Sequence, residues 1–274
     1  MTSFRDLHHQ DTPMILANAW DIGSARMLAA NGAQALATSS AAYAFTLGLP
    51  DGTLDRDQHL AHAQDIVAAT PLPVQGDFEN GFGDDPETCS ETVRLAAEIG
   101  LAGICIEDTI LDAPAQANGR KPAYDFDLAV ERIAAACAAA RALPNDFVLT
   151  ARADGMLTGT YDTDEALRRI QAFDAAGADC LYAPLPPSWD DLVRLVNATD
   201  KPTNALIAGP MFVAKTQADY AAIGVARLSL GSSLARITHA AIQDAATAMF
   251  GAGDFTPFGN AMSGDKVDAL LTKF

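Results

Sequence analysis

The sequence predicts a (β/α)8 barrel of the TIM type with additional helices after the eighth strand, and three features of the 274-residue chain predict it. Short apolar runs alternate with longer stretches of helical periodicity, as in parallel strands joined by crossover helices. A helix-Gly-strand unit recurs in AANGAQAL, AEIGLAGI, DAAGADCL and AAIGVARL, placing Gly where a helix ends in the left-handed conformation. No G-x-G-x-x-G follows the first run, so a closed barrel is preferred to an open doubly wound sheet.

The strand runs are eight: 14–19 (MILANA), 35–40 (ALATSS), 73–79 (PVQGDFE), 103–108 (GICIED), 147–154 (FVLTARAD), 180–184 (CLYAP), 202–207 (PTNALI) and 227–231 (RLSLG). Asp21, Asp85-Pro86, Asp125 and Asp162 or Thr163 open the intervening helices with N-cap chemistry. The stretch 109–123, TILDAPAQANGRKPA, breaks the alternation and reads as a mobile loop over the barrel mouth. Residues 232–249 and 263–272 form two helices beyond what closure requires. They either pack against another subunit or fold back on the barrel. One domain over 1–274 is expected, with 232–274 as its C-terminal helical extension.

Bulk composition narrows the function. A hydrophobic content of 49% gives a full core, and a net charge of −17 disfavours nucleic acid and anionic membrane surfaces. Small molecules and copies of the chain are the expected partners, and an anionic ligand requires local positive charge. The N-terminal segment lacks a signal pattern and no run approaches a membrane span, so a cytoplasmic location is expected. Cys89, Cys105, Cys137 and Cys180 lack C-x-x-C spacing and read as buried reduced thiols.

Barrel enzymes carry their chemistry at the C-terminal strand ends. Those ends here are Thr38-Ser39-Ser40-Ala41, Asp77-Phe78-Glu79, Glu107-Asp108 and Arg152-Ala153-Asp154, on four neighbouring strands. Carboxylates crowded together call for a cation, and an all-oxygen set points to Mg2+, with Mn2+ possible, rather than zinc. Asp77 is the first choice as direct ligand, with Glu79, Glu107 and Asp108 acting directly or through water. Arg152 has the planar fork that binds a substrate carboxylate. The alternative is that the acids and Arg152 form an ion-pair network closing the mouth.

D-F-E-N-G-F-G at 77–83 and I-E-D at 106–108, with Ser40, G-L-P-D at 48–51 and A-R-A-D at 151–154, resemble the isocitrate lyase/phosphoenolpyruvate mutase superfamily. The resemblance implies that Asp77 binds Mg2+ while Glu79, Glu107 and Asp51 complete a water-mediated shell. It implies that Ser40, with the backbone near Ala41 and Ala42, binds the carboxylate of a 2-oxo acid opposite Arg152. Asn204, on strand seven, is placed with this substrate-binding set; Tyr43 either contacts substrate or packs. Arg152, Glu107 and Asp51 are the catalytic candidates. The implied assembly is a dimer of dimers exchanging a C-terminal helix, and the implied chemistry forms or breaks C-C or C-P bonds through an Mg2+-stabilised enolate.

Two departures blur the reaction. The lyase loop K-[KR]-C-G-H is replaced by T-I-L-D-A-P-A-Q-A-N-G-R-K, and Cys105 reads as a core thiol. The mutase-type loop and strand-six His are replaced by a stretch containing Asn118 and by Tyr182. His59 and His62, spaced i, i+3, read as part of a solvated outer helix, and Arg120 as solvating an exposed loop, with Lys121 either carried inward or solvated likewise. The leading expectation is Mg2+-dependent C-C cleavage, by a lyase or hydrolase, of a small 2-oxo or related dicarboxylic acid. Phosphonate chemistry and a non-catalytic 2-oxo acid binding protein are the alternatives.

Overall fold

The computed structural model describes residues 2–116 and 119–273. Asn118 therefore lies outside the described residues. Eight parallel strands close in sequence order into one barrel: β1 (Met14–Asn18), β2 (Ala35–Ala37), β3 (Val74–Asp77), β4 (Gly103–Glu107), β5 (Val148–Arg152), β6 (Cys180–Tyr182), β7 (Thr203–Leu206) and β8 (Arg227–Ser229). Each predicted apolar run contains one of them, and the polar tails of the runs lie in the loops that follow, except Ser40, which opens the helix Ser40–Thr46.

Strand alternation divides the core into two layers. On β4, Ile104 and Ile106 point outward and pack with Ile66, Val93, Ile133 and Phe173 of the surrounding helices. Full burial of such side chains contributes about 1.5–3 kcal/mol each. Cys105 and Glu107 alternate with them and face the interior, where both line the central cavity. The pairings Asp77 with Cys105, and Glu107 with Arg152, bring three strand ends to one side of the mouth.

Helix ends follow the sequence punctuation. Asp21 and Asp162 accept the backbone N–H of Ser24 and Glu165. Asp85 and Asp125 hold the N-cap positions without a side-chain bond. Gly32, Gly100, Gly177 and Gly224 take φ between 86° and 102°, a conformation that disfavours side chains with a Cβ.

The stretch after β4 spans the mouth as expected, closed on itself by a bridge between Thr109 and Ala123. Beyond β8, the long helix Ser233–Ala252 buries only Ala235. The short helix Gly264–Leu271 returns to the first helix, Ile22–Ala30, and Lys273 Nζ donates to the Ala30 carbonyl. No helix among the described residues is long and apolar enough to cross a membrane.

Candidate active site

A cavity of about 530 Å3 opens at the C-terminal end of the barrel. Its centre is Arg152, at the end of β5. The guanidinium donates through Nη1 to Asp77 Oδ1 at 3.0 Å, and through Nε and Nη2 to Asp154 at 3.1 and 2.7 Å. Nη2 also lies 3.0 Å from Glu107 Oε2. Tyr182 of β6 presents its ring beneath the same group, 5.2 Å away.

Asp77 is engaged on both oxygens. Oδ2 accepts from the backbone N–H and the hydroxyl of Ser40, each at 3.1 Å, while Oδ1 takes Arg152 and the Cys105 thiol. Burial pushes its carboxyl up, but Arg152 and the Ser40 N–H outweigh that and hold it below the usual range. The neighbouring acids go the other way. Burial, then Asp77 and Asp51, raise Glu79 to about 8. Burial and Asp154 raise Glu107 well above its ordinary value. Asp51, at the exposed rim, is raised by the enclosing protein and by Asp77. One guanidinium thus leaves the site with more negative charge than it neutralises. Among the described residues no group of three or more His, Cys, Asp or Glu side chains is arranged to hold a metal ion. Arg152 pairs with Asp77, Glu107 and Asp154, while Glu79 and Asp108 stand outside that network.

The predicted residues separate into those that face the cavity and those that do not. Ser40, Ala41, Asp51, Asp77, Glu79, Glu107 and Arg152 line it. Ala42 is buried behind, its N–H on the Ser39 hydroxyl. Tyr43 packs, its ring stacked on His62 with centroids 3.8 Å apart. Asn204 lies deeper; it donates to Ser229 Oγ and accepts from Arg227 Nε, so its amide braces β8. Asp108 also leaves the acidic cluster. It accepts from Arg169, Tyr161 and the Asp154 N–H, and thereby fixes the turn after β5.

The reading of the two histidines is corrected. His59 and His62 are buried, facing inward from the helix Arg56–Ala69. Their burial stripe is 59, 62, 63, 66 and 69, a helical repeat shared with Ala63, Ile66 and Ala69 that the sequence displays. Arg120, exposed as expected, and Lys121 both line the cavity, so of the two positions left open for Lys121 the inward one is found. Lys121 Nζ donates to the Ala113 carbonyl across the turn, and Arg120 to the Leu157 carbonyl. With Arg152 and Arg227, those two cations place positive charge around the cavity of a chain of charge −17. Cys105 is the buried thiol expected, pushed up to about 12 by burial and then by Asp77, though it also touches the cavity.

Known proteins share this arrangement of sequence and fold. A crystal structure of a Burkholderia cenocepacia J2315 protein assigned provisionally as a lyase/mutase superposes with a TM-score of 0.91 at 44% identity, covering 98% of this chain and 94% of that one. Oxaloacetate acetylhydrolase, solved with the inhibitor 3,3-difluorooxalacetate, gives a TM-score of 0.84 at 25% identity, covering 98% of this chain and 92% of that one. Oxaloacetate decarboxylase of Paraburkholderia xenovorans is 32% identical over 210 residues, 75% of this chain and 67% of that protein. The phosphoenolpyruvate phosphomutase family matches residues 4–250. The chain belongs to that family, and so to the isocitrate lyase/phosphoenolpyruvate mutase superfamily whose motifs it carries.

Proposed function

We propose that the protein is an Mg2+-dependent enzyme that cleaves a C-C bond of a small 2-oxo or related dicarboxylic acid. The observation that carries this reading is the hydrogen-bonded unit Ser40–Asp77–Arg152: an acid suited to a metal is bonded directly to two donors suited to a carboxylate. Oxaloacetate decarboxylase and the inhibitor-bound acetylhydrolase give the substrate class its support.

The residues fit a hard divalent cation. Glu79 Oε2 is buried without a hydrogen-bond partner, and the raised carboxyls of Glu79 and Glu107 mark a site short of positive charge. Asp77 would hold the ion, with Glu79, Glu107 and Asp51 reaching it through waters, an all-oxygen set that suits Mg2+. When bound, Mg2+ supplies the electron sink that enolate-forming cleavage of a 2-oxo acid requires. The chain's own groups do the rest. Ser40 and Arg152 bind and orient a carboxylate, Lys121 and Arg120 add charge from the loop side, and Tyr182 closes the wall. Cys105, with its proton held to about pH 12, is not the base.

Phosphonate chemistry is the second reading, supported by the phosphomutase family match. A panel of oxaloacetate, 2-methylisocitrate-like acids and phosphonopyruvate, assayed with Mg2+ and with chelator, separates the two. Pyruvate or another C-C cleavage product, with no phosphate, is the expected outcome. Turnover confined to the phosphonate refutes the C-C reading.

The same reading includes a homotetramer in a reducing, cytoplasmic compartment. Ile237, Ile242 and Phe250 expose 64%, 64% and 81% of their surface around the helix Ser233–Ala252, apolar area that a second copy of the chain would cover. The four cysteines are all buried and unpaired. Light scattering that gives a monomer refutes the assembly.

A further inference from the structure

Among the described residues, two buried side-chain atoms lack any hydrogen-bond partner: His59 Nε2 and Glu79 Oε2. They belong to neighbouring groups. His59 Nε2 lies 3.8 Å from Glu79 Oε1, with both side chains almost fully buried. Unsatisfied buried polar atoms are rare, and each costs about 1–3 kcal/mol, so two at one contact call for an explanation.

The surroundings fix both partners. Phe82, Tyr43 and Phe78 surround the imidazole at centroid distances of 5.0, 6.1 and 6.3 Å. That apolar collar leaves Glu79 as the group Nε2 can meet with a shift of about one ångström, to ordinary hydrogen-bond length. Glu79 is held just as firmly. Its backbone takes φ of 47°, strained for a residue with a Cβ, and its carbonyl accepts the Glu107 N–H at 2.7 Å. His59 therefore approaches the acidic site at one point, the Glu79 carboxylate.

We propose that His59 is a positioning residue for Glu79, closing a hydrogen bond that aims the Glu79 carboxylate at a divalent cation held with Asp77. One proton shared between imidazole and carboxyl suffices, whichever group carries it. The inference rests on the Mg2+ site proposed above. Outer partners of this kind orient metal-binding groups, and their loss weakens affinity about 10–100-fold.

Calorimetric titration of the full chain with Mg2+ alone tests it without an activity assay. His59→Leu is expected to weaken Mg2+ binding at least about tenfold, and His59→Gln, which keeps polar atoms in the collar, to recover most of the loss. Native binding with His59→Leu within twofold of it overturns the positioning role and leaves the metal site standing. No Mg2+ binding by the native chain overturns the metal site, and the inference with it. Should His59→Leu not fold, 15N spectra of the native protein decide. The His59 ring signals are expected to move on addition of Mg2+ more than those of His62, whose Nε2 meets the Trp20 carbonyl; an unmoved His59 signal overturns the proposal.

Discussion

Two guanidinium groups lie inside the barrel in opposite company. Arg152, at the mouth, is held by the carboxylates of Asp77, Glu107 and Asp154. Arg227, deeper on β8, donates to Asn204, Gln75, Thr150 and His8, and among the described residues makes no ion pair with a carboxylate. His8 stays neutral there, burial and the Arg227 charge lowering it to about 3. The difference separates structure from function. A cation fixed by neutral acceptors stays where the fold puts it, because each acceptor would be left unsatisfied by its departure. A cation shared among crowded acids can be redistributed when another ion enters. Both arginines line the cavity, and the upper one is the one the proposed function assigns to the ligand.

Replacing the two arginines should separate their roles. Arg152→Met is expected to lower kcat about 10²–10³-fold, the scale for loss of a charged donor at a reacting group. The folded fraction, followed by circular dichroism, should be better retained at mildly acidic pH, where Glu107 and Glu79 hold protons. Arg227→Met should instead lower unfolding free energy by about 3 kcal/mol in urea, with Mg2+ offering no rescue. Activity per folded molecule should change less than about tenfold. Equal loss of activity in both variants breaks the comparison.

The acids around Arg152 also set a pH dependence. Glu79 titrates at about 8 in the folded chain against 4.5 ordinarily, so the folded state keeps a proton that the unfolded chain releases. The stability from that proton is complete below pH 4.5 and is lost as pH rises to about 8. Thermal melts of metal-free protein should fall across that window, and saturating Mg2+ should flatten the slope. The smallest effect belongs to the loop: Lys121→Met is expected to raise KM for a dicarboxylate about tenfold with little change in kcat, the mark of lost uniform binding.

Much of this was legible beforehand, for a local reason. The eight strands follow from apolar runs and from glycines at helix ends, and Asp77, Glu107 and Arg152 follow from their places at strand ends. What stayed hidden depends on contacts between distant segments. Asp108 looks like a fourth site acid until Arg169, 61 positions later, pairs with it. Asn204 looks available until β8 supplies Arg227 and Ser229. His59 and His62 were misread although their helical stripe was visible, because a histidine on that face has no prior preference for burial. The inward course of Lys121 stays open in the sequence because the path of an irregular loop has no period to read.

The central claim is that Asp77, bonded to Ser40 and Arg152, builds an Mg2+-dependent site for a 2-oxo dicarboxylate. Steady-state turnover of oxaloacetate by the native chain and by Asp77→Ala, each with Mg2+ and with chelator, tests it most directly, and the variant corrects for spontaneous decarboxylation by free metal. The account predicts Mg2+-dependent turnover in the native chain alone, at least about 10³-fold above the variant, whose loss removes both the metal ligand and the acid that orders Ser40 and Arg152. Native turnover that persists in chelator, or that survives in Asp77→Ala, would contradict it.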